Sequence, residues 1–559
     1  MKCLSKIDCA CAKQKTRALT PLKFKTFRSI WTASVFSYFG HLILGVGVAW
    51  EMTRLTDSAT MVALTQTALM APYMLVAMFA GAVAEMFDRR KIALCSLAFA
   101  VVTSITLTTL AFNGITTPWM LLLFTVMIGC GVAFYSPSWQ ASIQEQVPKE
   151  ELPAAIGLGA VAYNVARSAG PALGGIVVMA FGANYAFAIN SVFYIPLFVT
   201  FFHWRRDHAP SRLPPERLRR ALVSGLRYAQ HSSPIKRALL RSFVSCVCVA
   251  SANALAPLVA KDLLGGEANI FGLLLGVSGV GAVCAGLSVS YVRSRLATET
   301  TLKLLAVIAA AALCLVGLSR SLPLTCLGLF IASGASILMI STLNISVQLS
   351  TPRWVIARAL SMFHTFTAGG IAVGSWVWGE VAGDFSVPVA LLGSAGALLA
   401  TTLVGFVLPV PKDSGEDIEP IEIQNEPQVA LDLSLRSGPI VLEIDYDVAA
   451  EQARAFYNAM LNMQRVRLRN GDYDWSLARD IAKPDLWTER FHCPTWGDYL
   501  RMRSRYTHND LAVHAKVRVF NRITGETKVR RKLERPIGSV RWTDAAPDVK
   551  RDPMEYTGP

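Results

Sequence analysis

The sequence predicts an all-α membrane protein: twelve transmembrane helices in two six-helix halves, followed by a small α+β soluble domain of ferredoxin-like form. Three observations predict it. Residues 29–409 are mostly apolar runs separated by short charged segments, whereas 411–559 read as an ordinary soluble sequence. Of the 559 residues, 53% are hydrophobic and only 17% charged, with a mean hydropathy of +0.40 that soluble proteins rarely reach. The two halves of the apolar region also echo each other at a fixed spacing.

The chain begins with a basic stretch, 1–28, carrying eight Lys and Arg. The apolar run that follows is too long for the h-region of a signal peptide, so it is expected to stay as the first span behind a cytoplasmic tail. Cys3, Cys9 and Cys11 lie in that tail with no histidine nearby, and no metal site is expected there. The spans are expected near 29–50, 61–83, 92–112, 118–139, 154–178, 184–203, 242–260, 269–291, 302–319, 322–345, 359–382 and 387–408. Each approaches the roughly 20 apolar residues that cross a bilayer. Glycine and proline interrupt several of them, which membrane helices tolerate.

Charge sets the direction. With the N-terminus inside, the inner segments hold 27 Lys and Arg, and the outer loops hold only Arg54, Lys261 and Arg320. The positive-inside rule then puts both termini in the cytoplasm. The net charge of +15 is explained by bases flanking apolar runs, as anchors against an anionic lipid bilayer; a nucleic-acid partner would need them gathered on one soluble face.

The inner loop 204–241 separates an N-terminal half, 29–203, from a C-terminal half, 242–410. Gln144 and Pro148 repeat as Gln348 and Pro352, 204 residues later. The same offset carries Arg89 onto Arg293, Lys91 onto Arg295, Gly170 onto Gly374 and Gly175 onto Gly379. Duplicated halves with a binding site between them are the architecture of secondary transporters. No Gly-x-x-x-x-Gly-Lys-Ser/Thr loop occurs, which excludes a P-loop ATP-driven pump; no cofactor motif is visible either.

Two groups of residues stand out. The turn from Gly81 to Lys91 holds Glu85, Asp88, Arg89 and Arg90 between the second and third spans. Positive-inside bias accounts for the bases and not for the acids, so an inner gate of acid–arginine pairs is expected here. In the fifth span, Arg167 is an arginine near mid-membrane, at a cost of roughly 2.5–3.5 kcal/mol, and should face protein or water. Tyr163, Asn164, Gly170 and Gly174 share its helical face. Arg167 either attracts an anionic group of a substrate, pairs with a titrating acid, or anchors the helix through backbone carbonyls. Gly170 and Pro171 permit close packing and a bend. His41 in the first span is a candidate proton carrier, the alternative being a neutral histidine bonded across helices. No acid lies at the centre of any span: Glu51 and Glu380 are at outer ends and Glu145 is at an inner end.

The turn Gly81…Glu85…Arg89-Arg90-Lys91 resembles the loop 2–3 signature of the major facilitator superfamily, with Glu85 where that family usually has Asp. Gly170-Pro171-Ala-Leu-Gly174-Gly175 resembles the antiporter motif of its exporters. Leu255-Ala-Pro257-Leu-Val-Ala-Lys-Asp262, Gly225-Leu-Arg-Tyr228 and Ala357-Arg358-Ala-Leu-Ser361 are similar to the branch containing the enterobactin exporter and the transmembrane secretion effectors. That branch often has Gly-Asp-Trp in its first span; here the residues are Gly40-His41-Leu42. The resemblance implies proton-coupled export of a small molecule such as a siderophore, drug or metabolite across the inner membrane.

Residues 411–435 read as an acidic linker, 436–536 as the soluble domain and 537–559 as a disordered tail. Alternation predicts strands at Ile440–Tyr446, Trp475–Ile481 and Leu486–Cys493; helical spacing predicts helices at Ala449–Arg469 and Trp496–Tyr506, with Leu511–Phe520 ambiguous. Trp496-Gly-Asp-Tyr-Leu500-Arg501-Met-Arg503-Ser-Arg505 resembles antibiotic-biosynthesis-monooxygenase-like tails, which implies dimerisation through sheets. His492, Trp487 and Trp496 are candidates for a small oxygenase pocket. An enzyme or sensor seated in this domain is the alternative to a regulatory role.

Overall fold

A computed structural model describes residues 19–148, 151–205, 227–228, 230–352, 355–410, 429–431, 433–522 and 529–534. The basic tail before residue 19, most of the central loop, most of the acidic linker and residues 535–559 lie outside the described residues. The chain divides into two compact units, one drawn from 1–209, 242–342 and 364–407, the other from 210–241, 343–363 and 408 onward.

Long helices occupy each expected span position: α1 Lys25–Leu55, α2 Ala59–Met86, α3 Arg89–Phe112, α4 Pro118–Ser142, α5 Leu152–Phe181, α6 Ala183–His203, α7 Ser233–Ala254, α8 Ala268–Arg295, α9 Thr298–Leu318, α10 Leu322–Leu349, α11 Ile356–Asp384 and α12 Val387–Val407. Among the described residues, nine helical stretches are long and apolar enough to cross a membrane. Those in α5 and α11 are not among the nine, and α12 contributes a shorter apolar stretch, Val387–Leu403. α5 carries Arg167, and α11 carries Arg358, His364 and Glu380, which lower the mean hydropathy of those helices.

Local chemistry sets the helix starts. The Ser58 hydroxyl caps α2 by accepting from Met61 N–H, and Thr117, with Pro118 at the first helical position, caps α4. Gly182, at φ +93°, makes the sharp corner between α5 and α6, a conformation that a side chain would strain. Within the first unit α1 packs against α5 and α6, α3 against α4 and α6, and α9 against α12. Leu44 and Met52 of α1 are fully buried, whereas Phe99, Val102 and Ile105 of α3 are exposed, as a lipid-facing surface requires. Polar side chains join helices directly: Asn190 Nδ2 donates to Ser104 Oγ at 2.9 Å, Ser104 shares a 2.8 Å bond with Ser191, and Ser251 meets Ser394 at 2.7 Å.

The second unit contains a four-stranded antiparallel sheet: β1 Ile440–Asp447, β2 Tyr473–Arg479, β3 Leu486–Cys493 and β4 Val529–Leu533, in the order β2-β3-β1-β4. Helix α13 Ala453–Asn470 follows β1; α14 Trp496–Ser504 and α15 His508–Arg518 follow β3. The expected β-α-β-β-α order is present; the ambiguous segment is a second helix, and a fourth strand, which the sequence pattern does not predict, follows it. Leu442 pairs with Phe491 and Ile444 with Glu489, so one sheet face packs on Phe456, Met460 and Met463 of α13. The other face is a charge ladder, with Lys532 and Arg530 on Glu443 (2.7 and 3.4 Å) and Arg530 on Asp445 at 2.9 Å.

Candidate functional site

The offset of 204 residues becomes geometry in the first unit. A Cβ on Gly170 would touch Leu42 of α1 at 3.0 Å, and one on its counterpart Gly374 would run into the backbone of Val247 in α7. Each glycine lets its helix approach the first helix of its own half. The second pair behaves differently. Gly175 lies against Gly272 of α8, backbone to backbone, and a Cβ on Gly379 would sit 2.5 Å from Ala63 of α2. Each therefore reaches across to the other half. Exchanging the halves exchanges α1 with α7 and α2 with α8, so equivalent glycines do equivalent work.

These cross-half contacts gather at one end of the bundle. Thr60 Oγ1 donates to Gly379 O at 3.4 Å and to Glu380 Oε2 at 3.3 Å, and deeper along the same pair Thr67 Oγ1 donates to Ala372 O at 2.9 Å. The Lys261 ammonium, just beyond α7, donates to Thr53 O at 3.1 Å and pairs with Asp57 at 3.4 Å. A cavity of about 700 Å³ opens at this end, with Asp57, Asp262 and Asp384 facing one Arg320. In the sequence Gly175 and Gly379 read as repeats, but not as the seam they form. The equal offset was the available signal.

The turn at residues 81–91 makes contacts to helix ends of its own half. Asp88 is the N-cap of α3, its carboxylate accepting from Arg90 N–H at 2.8 Å and Lys91 N–H at 3.4 Å. Arg89 pairs with Glu145, just past the end of α4, at 2.9 Å. Arg90 donates to Phe201 O at 3.2 Å and Phe202 O at 2.5 Å, the last carbonyls of α6. The turn thus ties the ends of α3, α4 and α6 together. Gly81 lies within α2, and the Glu85 side chain lies outside the described residues.

Arg167 is half-buried in α5 and makes no ion pair or hydrogen bond among the described residues. Tyr163, on its face, meets Tyr38 of α1 edge to face at 5.5 Å. Gly170 follows on that face, and Pro171 stands inside the helix; the Asn164 side chain lies outside the described residues. His41 points the other way from α1: its Nδ1 lies 3.4 Å from Tyr194 Oη of α6. Among the described residues, no hydrogen bond or ion pair joins His41 to Arg167.

In the sheet domain, His492, Trp487 and Trp496 do not converge. Strand alternation puts Trp487 on the helix-facing side with Phe456 (5.7 Å), while His492 faces Glu534 at 3.3 Å on the other side. Trp496 opens α14 and packs on Tyr499 at 5.1 Å. The domain is instead pinned by Arg467, which pairs with Glu489 at 3.0 Å, both nearly inaccessible. Burial pushes the Glu489 carboxyl up, but Arg467, with donors from Trp475 and Tyr446, holds it below its usual value.

Asp472 has no ion-pair partner among the described residues. Burial pushes its carboxyl up to about 7 against Arg467, the Cys493 thiol that donates to it at 3.0 Å, and Arg227. A carboxyl raised when folded contributes stability that is full below 3.8 and lost as pH rises through about 7. Asp472→Asn removes that ionisation. Relative to wild type, the variant domain is expected to gain about 2–3 kcal/mol between pH 5 and pH 8, read by thermal or denaturant unfolding. An equal gap at both pH values would contradict it.

Residues 16–537 match the family model described as "Transmembrane secretion effector". The chain is 20% identical over 264 residues to the Staphyloferrin A transporter of Staphylococcus aureus, covering 46% of this chain and 65% of that protein. It is 22% identical over 243 residues to Macrolide efflux protein A of Streptococcus pyogenes, covering 43% and 60%. The chain thus spans less than two thirds of the length of these curated relatives. Among solved structures, a bacterial homologue of the human lysosomal transporter Spinster, inward-facing and unoccupied, superposes with a TM-score of 0.54 at 12% identity, covering 70% of this chain and 96% of that one. The POT family transporter PepTSo gives 0.55 at 12%, covering 69% and 97%. With a family match across most of its length, the chain belongs to the transmembrane secretion effector family, multi-pass membrane transporters of the major facilitator superfamily.

Proposed function

We propose that this protein is a secondary exporter that carries a small organic molecule out of the cytoplasm by alternating access, with protons moving inward. The observation that carries the reading is the paired glycine seam. Gly175 on Gly272 and Gly379 on Ala63 close one end of the bundle between two duplicated halves. A rocking transporter needs such a contact, made in one state and broken in the other. On this reading all twelve helices span the membrane. The positive-inside bias makes the sealed end the outer one and leaves both termini in the cytoplasm. Arg167 faces the cargo path and favours an anionic group, while His41 and Arg167 are the titratable or charged groups available to proton coupling. The turn at Glu85, Asp88, Arg89 and Arg90, with Gly81, acts at the inner end, where the Arg89–Glu145 pair is broken and remade as the half rocks.

The names of the relatives set the first cargo to try, staphyloferrin A and a macrolide. Proteoliposomes with an imposed pH gradient should accumulate at least one of staphyloferrin A and erythromycin, with counterflow of protons reported by an internal pH dye. A protonophore should abolish accumulation. Concentrative uptake that survives the protonophore undiminished would overturn proton coupling.

A further inference from the structure

The sheet domain contains a pocket that no transport role explains. It holds about 220 Å³ between the helix-facing side of β1, β3 and β4 and helices α13 to α15. Its walls are apolar and aromatic, including Leu442, Phe491, Met502 and Val517. Three phenols, Tyr446, Tyr499 and Tyr506, turn toward it.

Its charge is one-sided. Among the described residues, the lining contains four arginines, Arg467, Arg503, Arg518 and Arg531, and no carboxylate. Arg467 is neutralised from behind by Glu489 at 3.0 Å. Arg518 and Arg531 have no acid partner among the described residues; Arg531 Nε instead donates to the neutral Tyr499 hydroxyl at 2.7 Å. His514 in the wall is held neutral, its pKa lowered to about 3 by burial and then by Arg467. The surroundings therefore already disfavour another positive charge.

We infer that this pocket is a binding site for a small organic anion with a flat apolar body, its carboxylate or phosphate held by Arg518 and Arg531. Guanidinium forks match planar oxyanions in two parallel bonds, and the phenols and Phe491 offer faces and edges to an aromatic ring. The volume lies below the usual range for drug-sized ligands, which limits the occupant to about one ring and its substituents. The floor is also tied to the central loop within the same unit. The carbonyl of Arg467 accepts the N–H of Asp472, and the neighbouring Gly471 carbonyl accepts from Arg227 of the central loop at 2.9 Å. Occupancy of the pocket thus bears on a segment that joins the two helical halves.

The test is equilibrium binding of radiolabelled salicylate to the full-length protein in detergent, with salicylamide as the uncharged isostere and phenyl phosphate as the alternative anion. Saturable one-to-one binding is expected, weakened at least about tenfold by removing the ligand charge or by the double variant Arg518→Gln, Arg531→Gln. The double variant Arg518→Lys, Arg531→Lys keeps the charge without the fork and should recover part of the affinity, which separates lost recognition from a damaged fold. Preference for phenyl phosphate over salicylate would identify the anion class. Equal binding of salicylate and salicylamide, unchanged affinity in the glutamine variant, or no saturable binding of either anion to wild type would overturn the assignment.

Discussion

Gly175→Val is expected to abolish transport while the protein still folds and inserts. A side chain at 175 would enter the space held by the Gly272 backbone, which cannot swing aside as a side chain could. Overpacking of this kind costs about 1–3 kcal/mol where the surroundings resist. At about 3 kcal/mol the sealed state falls roughly 100-fold in population relative to the open one. The penalty acts only in the state where the seam is made, so stability of the open state is untouched and the cycle stalls there. Gly379→Val should produce the same defect in milder form, because its obstacle is the Ala63 side chain. Gly157→Val is the control, since a Cβ there meets nothing within 4 Å. Counterflow in proteoliposomes, normalised to folded protein by gel filtration, measures the effect. Wild-type rates for Gly175→Val would remove the seam from the mechanism.

The second large effect is at Arg167. Arg167→Gln should lower the rate of cargo movement about ten- to hundredfold, the worth of a charged hydrogen bond. It should not lower the amount of folded protein, because removing the charge relieves roughly 2.5–3.5 kcal/mol of insertion cost. That opposition of signs is the diagnostic. A structural anchor would lose both transport and folded protein, whereas a group reserved for cargo loses transport alone. Arg167→Lys keeps the charge without the guanidinium fork and should restore part of the rate. Unimpaired transport by Arg167→Gln would refute its role.

Much of the architecture was legible because long apolar runs and charge asymmetry are strong signals. The helix positions follow from them, and alternation with helical spacing gives the first five elements of the sheet domain. The strand β4 was not legible: Val529-Arg-Arg-Lys-Leu533 has bases at three of five positions, and it is held by pairing with Glu443 and Asp445 of β1, which local pattern cannot reveal. Asp88 was read as part of a gate because its sign was unexpected in an inner loop. One of its contacts is the N-cap of α3, for which the Asp-Arg-Arg start of that helix was the available sign. Arg467 and Glu489 each sit in a half-polar element, and only the fold brings them together in the core. The cargo site was least legible, since it depends on which helix faces meet. Arg167 could be singled out from sequence only because a lone charge in an apolar run is too costly to be incidental.

The seam makes the central claim, alternation between two states, directly measurable. Spin labels at Ser58 and Phe385, in the loops bordering the sealed end, can be placed in a chain stripped of native cysteines and read by pulsed electron–electron distance measurement in nanodiscs. Two distances are expected in the otherwise wild-type chain, a short one for the sealed state and a longer one for the open state. Gly175→Val should erase the short one. A single short distance in both proteins would contradict alternation at this seam.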